Sequence, residues 1–260
     1  MEKHIFKKKF GQNFLQDKNV LLNIIDNLNV SKDDLIIEVG PGAGALTKYL
    51  KKLDCKVLAY EIDKTLEPSL KKLEDDNLKI IFKDFMESNI KEDIKDYVYD
   101  KLYLVANLPY YITTPILERV MESEVEFKEI IVMVQDEVAK RLTSTAGKKE
   151  FGAFTVLLDY FYNREYLFYV DRNAFYPIPN VDSAVMKLSL KSNILDIDYK
   201  KFKKFIFDCF QYKRKNLKNN LKNYDLIKFE NILKKYGFSL NNRAEEIDTN
   251  IFVEIFNSLK

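Results

Sequence analysis

An apolar run that ends in a glycine-rich loop and reopens as a helix admits few folds, and this chain carries one at residues 35–50. Leu35-Ile36-Ile37 leads into Glu38-Val39-Gly40-Pro41-Gly42-Ala43-Gly44, and Ala45-Leu46-Thr47-Lys48-Tyr49-Leu50 follows with helical spacing. Strand, glycine loop and helix together open a nucleotide-binding βαβ unit. Glycines there permit positive φ and let a ligand approach the backbone with no Cβ in the way. A second strand, Lys56-Val57-Leu58-Ala59-Tyr60, ends at Glu61-Ile62-Asp63. Glu61 stands about 20 residues past Gly40, the spacing at which an acidic side chain accepts both ribose hydroxyls in such units.

Two more strand ends extend the series. Leu78-Lys79-Ile80-Ile81-Phe82 runs into Asp84-Phe85, where a carboxylate can take a hydrogen bond from an adenine amino group with Phe85 beside the ring. Leu102-Tyr103-Leu104-Val105-Ala106 runs into Asn107-Leu108-Pro109-Tyr110. Open α/β sheets bind ligands at the carboxyl ends of their strands, so these polar groups fall where the parts of an adenosine would lie. Gly40-x-Gly42-x-x-Ala45 also fits the dinucleotide fingerprint, and the glycines alone leave hydride transfer open. A hydride-transfer enzyme has no need for Asn-x-Pro-Tyr after its fourth strand. That tetrapeptide suits transfer to an exocyclic amine of a base, because an amide oxygen and a backbone carbonyl can both accept from one NH2 while a ring stacks on the base.

Composition narrows the class further. The chain of 260 residues has room for one large domain and a small one. No apolar run approaches the eighteen or so residues of a membrane span, and Met1–Phe6 lacks the stretch of a signal peptide, so a cytoplasmic protein is expected. One histidine, His4, leaves no imidazole-based triad and no zinc site, and Cys55 and Cys209 lack ligand spacing, so no metal is expected. Residues 1–190 carry 27 basic and 31 acidic side chains, whereas residues 191–260 carry 15 and 9. Between Lys200 and Lys222 nine positive charges face one negative, Asp208, an imbalance that points to nucleic acid.

Further strands are expected at 130–134, 166–170 and 184–190, giving a mostly parallel sheet whose last two strands pair like a hairpin. From Tyr199 onward the spacing of Phe202, Phe205, Ile206 and Phe210 is helical. The fold class is therefore α/β: a Rossmann-like sheet with helices on both faces over residues 1–192, followed by a small all-helical domain over 193–260.

Over almost its whole length the chain resembles the small-subunit ribosomal RNA adenine dimethyltransferases. Lys8-Lys9-Phe10-Gly11-Gln12-Asn13-Phe14-Leu15, the segment 38–44, Glu61-Ile62-Asp63, Asp84-Phe85 and Asn107-Leu108-Pro109-Tyr110 resemble that family's motifs in order. Phe151-Gly152, the segment Phe175-Tyr176-Pro177-Ile178-Pro179-Asn180-Val181-Asp182-Ser183-Ala184-Val185, the segment 210–217 and Arg243-Ala244-Glu245-Glu246 resemble its later ones. Those later motifs separate it from Erm-type methylases of large-subunit RNA, which share the earlier set. Lys213 stands where the family usually has arginine, Asn216 where threonine is usual, and Asp136 where lysine is commoner.

The resemblance implies a methyltransferase dependent on S-adenosylmethionine, with S-adenosylhomocysteine as product. Gln12, Asn13, Leu15, Gly40, Gly42, Glu61, Ile62, Asp84, Phe85 and Asn107 are the expected cofactor residues. It also implies a substrate: two adjacent adenines in a hairpin loop near the 3′ end of 16S rRNA, in an assembling ribosomal particle, met by a monomer. Asn107 and the Pro109 carbonyl are expected to hold the adenine N6, with Tyr110 on one ring face and Phe175 on the other. Lys213, Arg214, Lys215 and Lys218 are expected to bind RNA. The alternatives are an Erm-type enzyme, a DNA adenine methylase, and a non-catalytic assembly factor on the same fold.

Overall fold

The computed structural model describes residues 13–259. Its strands in chain order are β1 (Phe14–Leu15), β2 (Leu35–Val39), β3 (Lys56–Tyr60), β4 (Leu78–Ile81) and β5 (Leu102–Asn107), then β6 (Glu129–Gln135), β7 (Tyr162–Val170), β8 (Phe175–Tyr176) and β9 (Ser183–Leu190). Seven of them form one sheet in the order β4-β3-β2-β5-β6-β9-β7. The ladders β4–β3, β3–β2, β2–β5 and β5–β6 are parallel, and β6–β9 is antiparallel. This is the expected α/β sheet.

The continuous apolar runs of the central strands follow from cover on both sides. On one face Ile36, Val57, Ala59, Val105 and Ile131 join a cluster with Leu21 and Ile24 of the helix Lys18–Asp26 and with Leu46 and Leu50. Ile37, Leu58, Leu104 and Val132 point the other way and are equally buried. A parallel sheet covered on two faces needs hydrophobic residues at every position, not at every second one.

Strand order positions the site. The sheet grows from β2 in two directions, to β3 and to β5, so the connections diverge at that point and leave a crevice at the carboxyl ends. The register aligns Val39 with Tyr60 on one side and with Ala106 on the other. Gly40, Glu61 and Asn107, each the next residue along, therefore emerge side by side. The helix after the glycine loop is shorter than its sequence suggests, Thr47–Leu50, because the chain first turns through residues 42–46.

One ladder has no counterpart in the sequence pattern. β1 pairs antiparallel with β8, Phe14 opposite Tyr176 and Leu15 opposite Phe175, and the Gln16 N–H donates to the Ala174 carbonyl at 2.8 Å. The arm just before the first helix is thereby tied to a segment far along the chain.

The described chain divides into two compact units: residues up to Ala139 with Tyr166–Ser189, and Lys140–Glu165 with the residues from Leu190 onward. The second unit thus joins an internal segment, 140–165, to the C-terminal part of the chain. Its helices Ala153–Phe161, Tyr199–Cys209, Leu226–Lys235 and Thr249–Asn257 enclose an aromatic core. The rings of Phe202 and Phe256 lie 5.3 Å apart, and those of Phe205 and Phe229 lie 6.0 Å apart. Phe202, Phe205 and Ile206 lie on the buried face of their helix, in line with their spacing; Cys209 completes that face, and Phe210, read with them, is half-buried. The loop 147–152 belongs to this unit, where the Gly147 N–H donates to the Glu245 carbonyl at 2.8 Å. Both cysteines are free and buried. Among the described residues no helix is long and apolar enough to cross a membrane, and no group of three acidic, cysteine or histidine side chains is placed to hold a metal ion.

Candidate active site

A cavity opens at the carboxyl edge of β2, β3 and β5. Asn13, Phe14, Leu15, Glu38, Gly40, Pro41, Gly42, Glu61, Ile62, Asn107, Leu108, Pro109, Tyr110 and Phe175 are in its wall. Gly40, Gly42 and Gly44 all have positive φ, between 57° and 76°. At Gly42 a Cβ would stand 2.8 Å from the Phe14 ring, so glycine is required there by space as well as by conformation.

Glu61 pins the loop. One carboxylate oxygen accepts from the Gly42 N–H at 2.9 Å and the other from the Asp63 N–H at 2.8 Å. Burial pushes this carboxyl above its usual range, and the two N–H donors pull it part of the way back. Each oxygen keeps lone-pair capacity for a second donor, which suits a pair of vicinal hydroxyls.

Asn107 closes β5, and its side chain is oriented. Nδ2 donates to the Asn13 carbonyl at 3.5 Å, which turns Oδ1 away as an acceptor. The Pro109 carbonyl already accepts the Ile112 N–H at 3.1 Å, leaving one lone pair for a substrate. The Tyr110 hydroxyl is 3.0 Å from the hydroxyl of Ser183, which is wholly buried at the start of β9. Burial raises the Tyr110 pKa, and the Ser183 hydrogen bond offsets part of that rise. Immediately before Ser183, Asp182 takes a two-pronged bond from Arg172, 2.8 Å from Nε and 2.9 Å from Nη2, which holds the Asp182 carboxyl well below the usual range. Phe175 lines the cavity yet is only 3% exposed, because its ring also packs into the core cluster across from Leu15.

Two expected residues stand apart from the cavity wall. Asp84 caps the short turn Phe85–Glu87, accepting from the Met86 N–H at 2.9 Å, and Phe85 packs edge-on against Tyr60 with ring centroids 5.2 Å apart. Gln12 lies outside the described residues. Lys213, Arg214, Lys215 and Lys218 are exposed in the second unit.

One ionisable side chain of the cavity wall was not expected. Glu38 is 2% exposed as the next-to-last residue of an otherwise apolar strand, and its Oε2 makes no hydrogen bond. Burial pushes its pKa up to about 8, against a smaller opposing pull from the Thr47 hydroxyl and with a small addition from the Glu61 charge. Its signal in the sequence is the single charge interrupting Leu35-Ile36-Ile37-Glu38-Val39. Ser183 lies within the family-like segment 175–185, but nothing in the sequence assigns it a role at the site.

Comparison with known proteins agrees with this geometry. The family described as "Ribosomal RNA adenine dimethylase" matches residues 3–260. The chain is 43% identical over 258 residues to "Ribosomal RNA small subunit methyltransferase A" of Mycoplasma mobile, covering 98% of this chain and 99% of that protein. The protein of the same name from Pediococcus pentosaceus is 40% identical over 266 residues, with 98% and 90% covered. Among solved structures, a dimethyladenosine transferase from Plasmodium falciparum superposes with a TM-score of 0.78 at 24% identity, covering 94% of this chain and 98% of that one. The 23S rRNA methyltransferase ErmE superposes with a TM-score of 0.74 at 24% identity, covering 95% and 99%. At that identity the two structures speak for the fold, and the family match with the sequence relatives decides membership: this chain belongs to the ribosomal RNA adenine dimethylase family.

Proposed function

We propose that this protein transfers methyl groups from S-adenosylmethionine to N6 of two adjacent adenines near the 3′ end of small-subunit rRNA, giving N6,N6-dimethyladenosine. The observation that carries it is the meeting of the glycine loop, Glu61 and Asn107-Leu108-Pro109-Tyr110 around one cavity. The sequence relatives named as small-subunit methyltransferases favour that RNA over the large-subunit target in ErmE's title.

The residues present suit the cofactor. Gly40 and Gly42 open the backbone to close approach, Glu61 offers two acceptors for the ribose, and Asn13, Leu15 and Ile62 line the same wall. Glu38 adds a buried oxygen without a partner. Asp84, outside the wall, would take the adenine amino group through the oxygen that does not cap Met86. The cofactor supplies a methyl on a sulfonium, activated without a metal or a covalent enzyme intermediate.

The protein's own task is to prepare the nucleophile. An adenine N6 lone pair is delocalised into the ring and attacks poorly. Asn107 Oδ1 and the Pro109 carbonyl would accept its two hydrogens, drawing the nitrogen towards sp3 geometry and aiming the lone pair at the methyl. Tyr110 would stack on one face of the base, with Phe175 bounding the other. Stacking of this kind is worth about 1–3 kcal/mol per base. Catalysis is then mainly positioning, with hydrogen bonds that strengthen in the transition state. The base must be unpaired or flipped out to enter. Lys213, Arg214, Lys215 and Lys218 would hold phosphates of an assembling particle, and the protein would work as a cytoplasmic monomer.

The test is transfer of labelled methyl from S-adenosylmethionine to unmethylated small ribosomal subunits, followed by nucleoside analysis. N6,N6-dimethyladenosine at two neighbouring positions supports the proposal. Label on large-subunit RNA alone would overturn it in favour of an Erm-type activity, and cofactor binding with no label on either would favour an assembly factor.

A further inference from the structure

The helix Tyr199–Cys209 has a clear inner face, Phe202, Phe205, Ile206 and Cys209, all buried. Phe207 belongs to the opposite face and is 47% exposed. Lys200, Lys204 and Phe207 are spaced i, i+4 and i+7, so they share one side of the helix, and both lysines are exposed. Just beyond the helix, Tyr212 is 57% exposed and leads directly into the exposed Lys213-Arg214-Lys215. The one acidic side chain between Lys200 and Lys222, Asp208, is half-buried and accepts from the Tyr224 hydroxyl at 2.6 Å. Its charge is therefore engaged with its own unit.

A phenylalanine on the solvent side of a helix gains nothing from water, and a single one is commonplace. Here the ring is set in a row of cations, the pairing that single-stranded nucleic acid exploits: phosphates on the cations and a base on the ring. An apolar protein partner would meet a dense lysine field at the same place, so the charge favours a polyanion. We propose that Phe207 is a stacking platform for an unpaired base of the RNA, with Lys200 and Lys204 on the flanking phosphates. Tyr212 extends the platform towards Lys213-Arg214-Lys215. This rests on the proposed RNA substrate but concerns binding, at a residue with no part in methyl transfer.

The test uses the full chain and protein-free, unmethylated small-subunit rRNA, with affinity measured over a series of salt concentrations. Phe207→Ala should weaken binding about 5- to 160-fold, the range of one lost stacked base, with the salt slope unchanged because no charge is removed. Phe207→Tyr should bind within about threefold of wild type, whereas Phe207→Leu, apolar without a ring, should be as weak as alanine. Lys204→Ala should lower the slope by about 0.7–0.9. Binding by Phe207→Ala within twofold of wild type, or full rescue by leucine, would overturn the stacking role. Loss of affinity for whole subunits but not for the RNA would assign the ring to a ribosomal protein and overturn it as well. If wild type bound the RNA in this pattern yet methylated nothing, the proposed reaction would fail while the platform stood.

Discussion

Replacing Glu38 by glutamine should change how stability depends on pH, and the size of the change follows from the burial of one side chain. The carboxyl sits at 2% exposure with Oε2 unpartnered, and its pKa rises from 4.5 to about 8. In the unfolded chain the group loses its proton near the ordinary value, whereas the folded chain keeps it. Folding therefore takes up a proton between those two values. The associated stability is complete below pH 4.5 and is lost as pH rises through about 8. Each unit of displacement corresponds to about 1.4 kcal/mol, so from pH 5 to pH 8 the wild type should lose about 2–5 kcal/mol through this group. Glutamine cannot titrate, and Glu38→Gln should be free of that loss. Glu61 also has a raised pKa, but it is common to both proteins and largely cancels in the difference. Urea unfolding at pH 5, 6, 7 and 8 gives the difference in ΔG directly. Glu38→Gln should gain on wild type steadily across the series, and parallel curves within about 0.5 kcal/mol would refute a proton held by buried Glu38.

Asn107→Ala removes the side-chain acceptor for the N6 hydrogen and should lower methyl transfer by two or more orders of magnitude, about 3 kcal/mol, with RNA affinity retained. Equal loss of both would count against its role at the reacting nitrogen. Ser183→Ala leaves the Tyr110 hydroxyl without its partner at 3.0 Å and should reduce transfer about 3- to 10-fold through a looser ring, with Ser183→Thr restoring part of it. Unchanged kinetics in Ser183→Ala would remove Ser183 from the positioning of Tyr110. Joint replacement of Lys213, Arg214 and Lys215 by alanine should flatten the salt dependence of RNA binding by about 2–3 in slope, read by filter binding from 50 to 200 mM salt. An unchanged slope would place the phosphate contacts elsewhere.

The α/β class and the carboxyl-edge site were legible because both rest on local pattern. Apolar runs of strand length, a glycine loop that needs positive φ, and polar residues at the run ends are set by neighbours in sequence. The helical spacing of Phe202, Phe205 and Ile206 was legible for the same reason. Pairings between distant segments were not. Two-residue strands have no periodicity to read, so the ladder of Phe14-Leu15 with Phe175-Tyr176 leaves no trace in the sequence pattern. The joining of 140–165 to the C-terminal tail is likewise a matter of contacts between remote segments. Asp84 sits at a strand end like Glu61, yet it turns to cap Met86 outside the cavity wall.

Which side chains stand at which strand ends follows from the order of residues alone, since a β-run stops where its apolar residues stop. Which of those ends become neighbours is a property of the folded sheet. That depends on the order β4-β3-β2-β5 and on the register that sets Val39 between Tyr60 and Ala106. The fold also decides the state of Glu38, because a carboxyl's proton affinity depends on the water its surroundings exclude, and a list of residues does not contain that water.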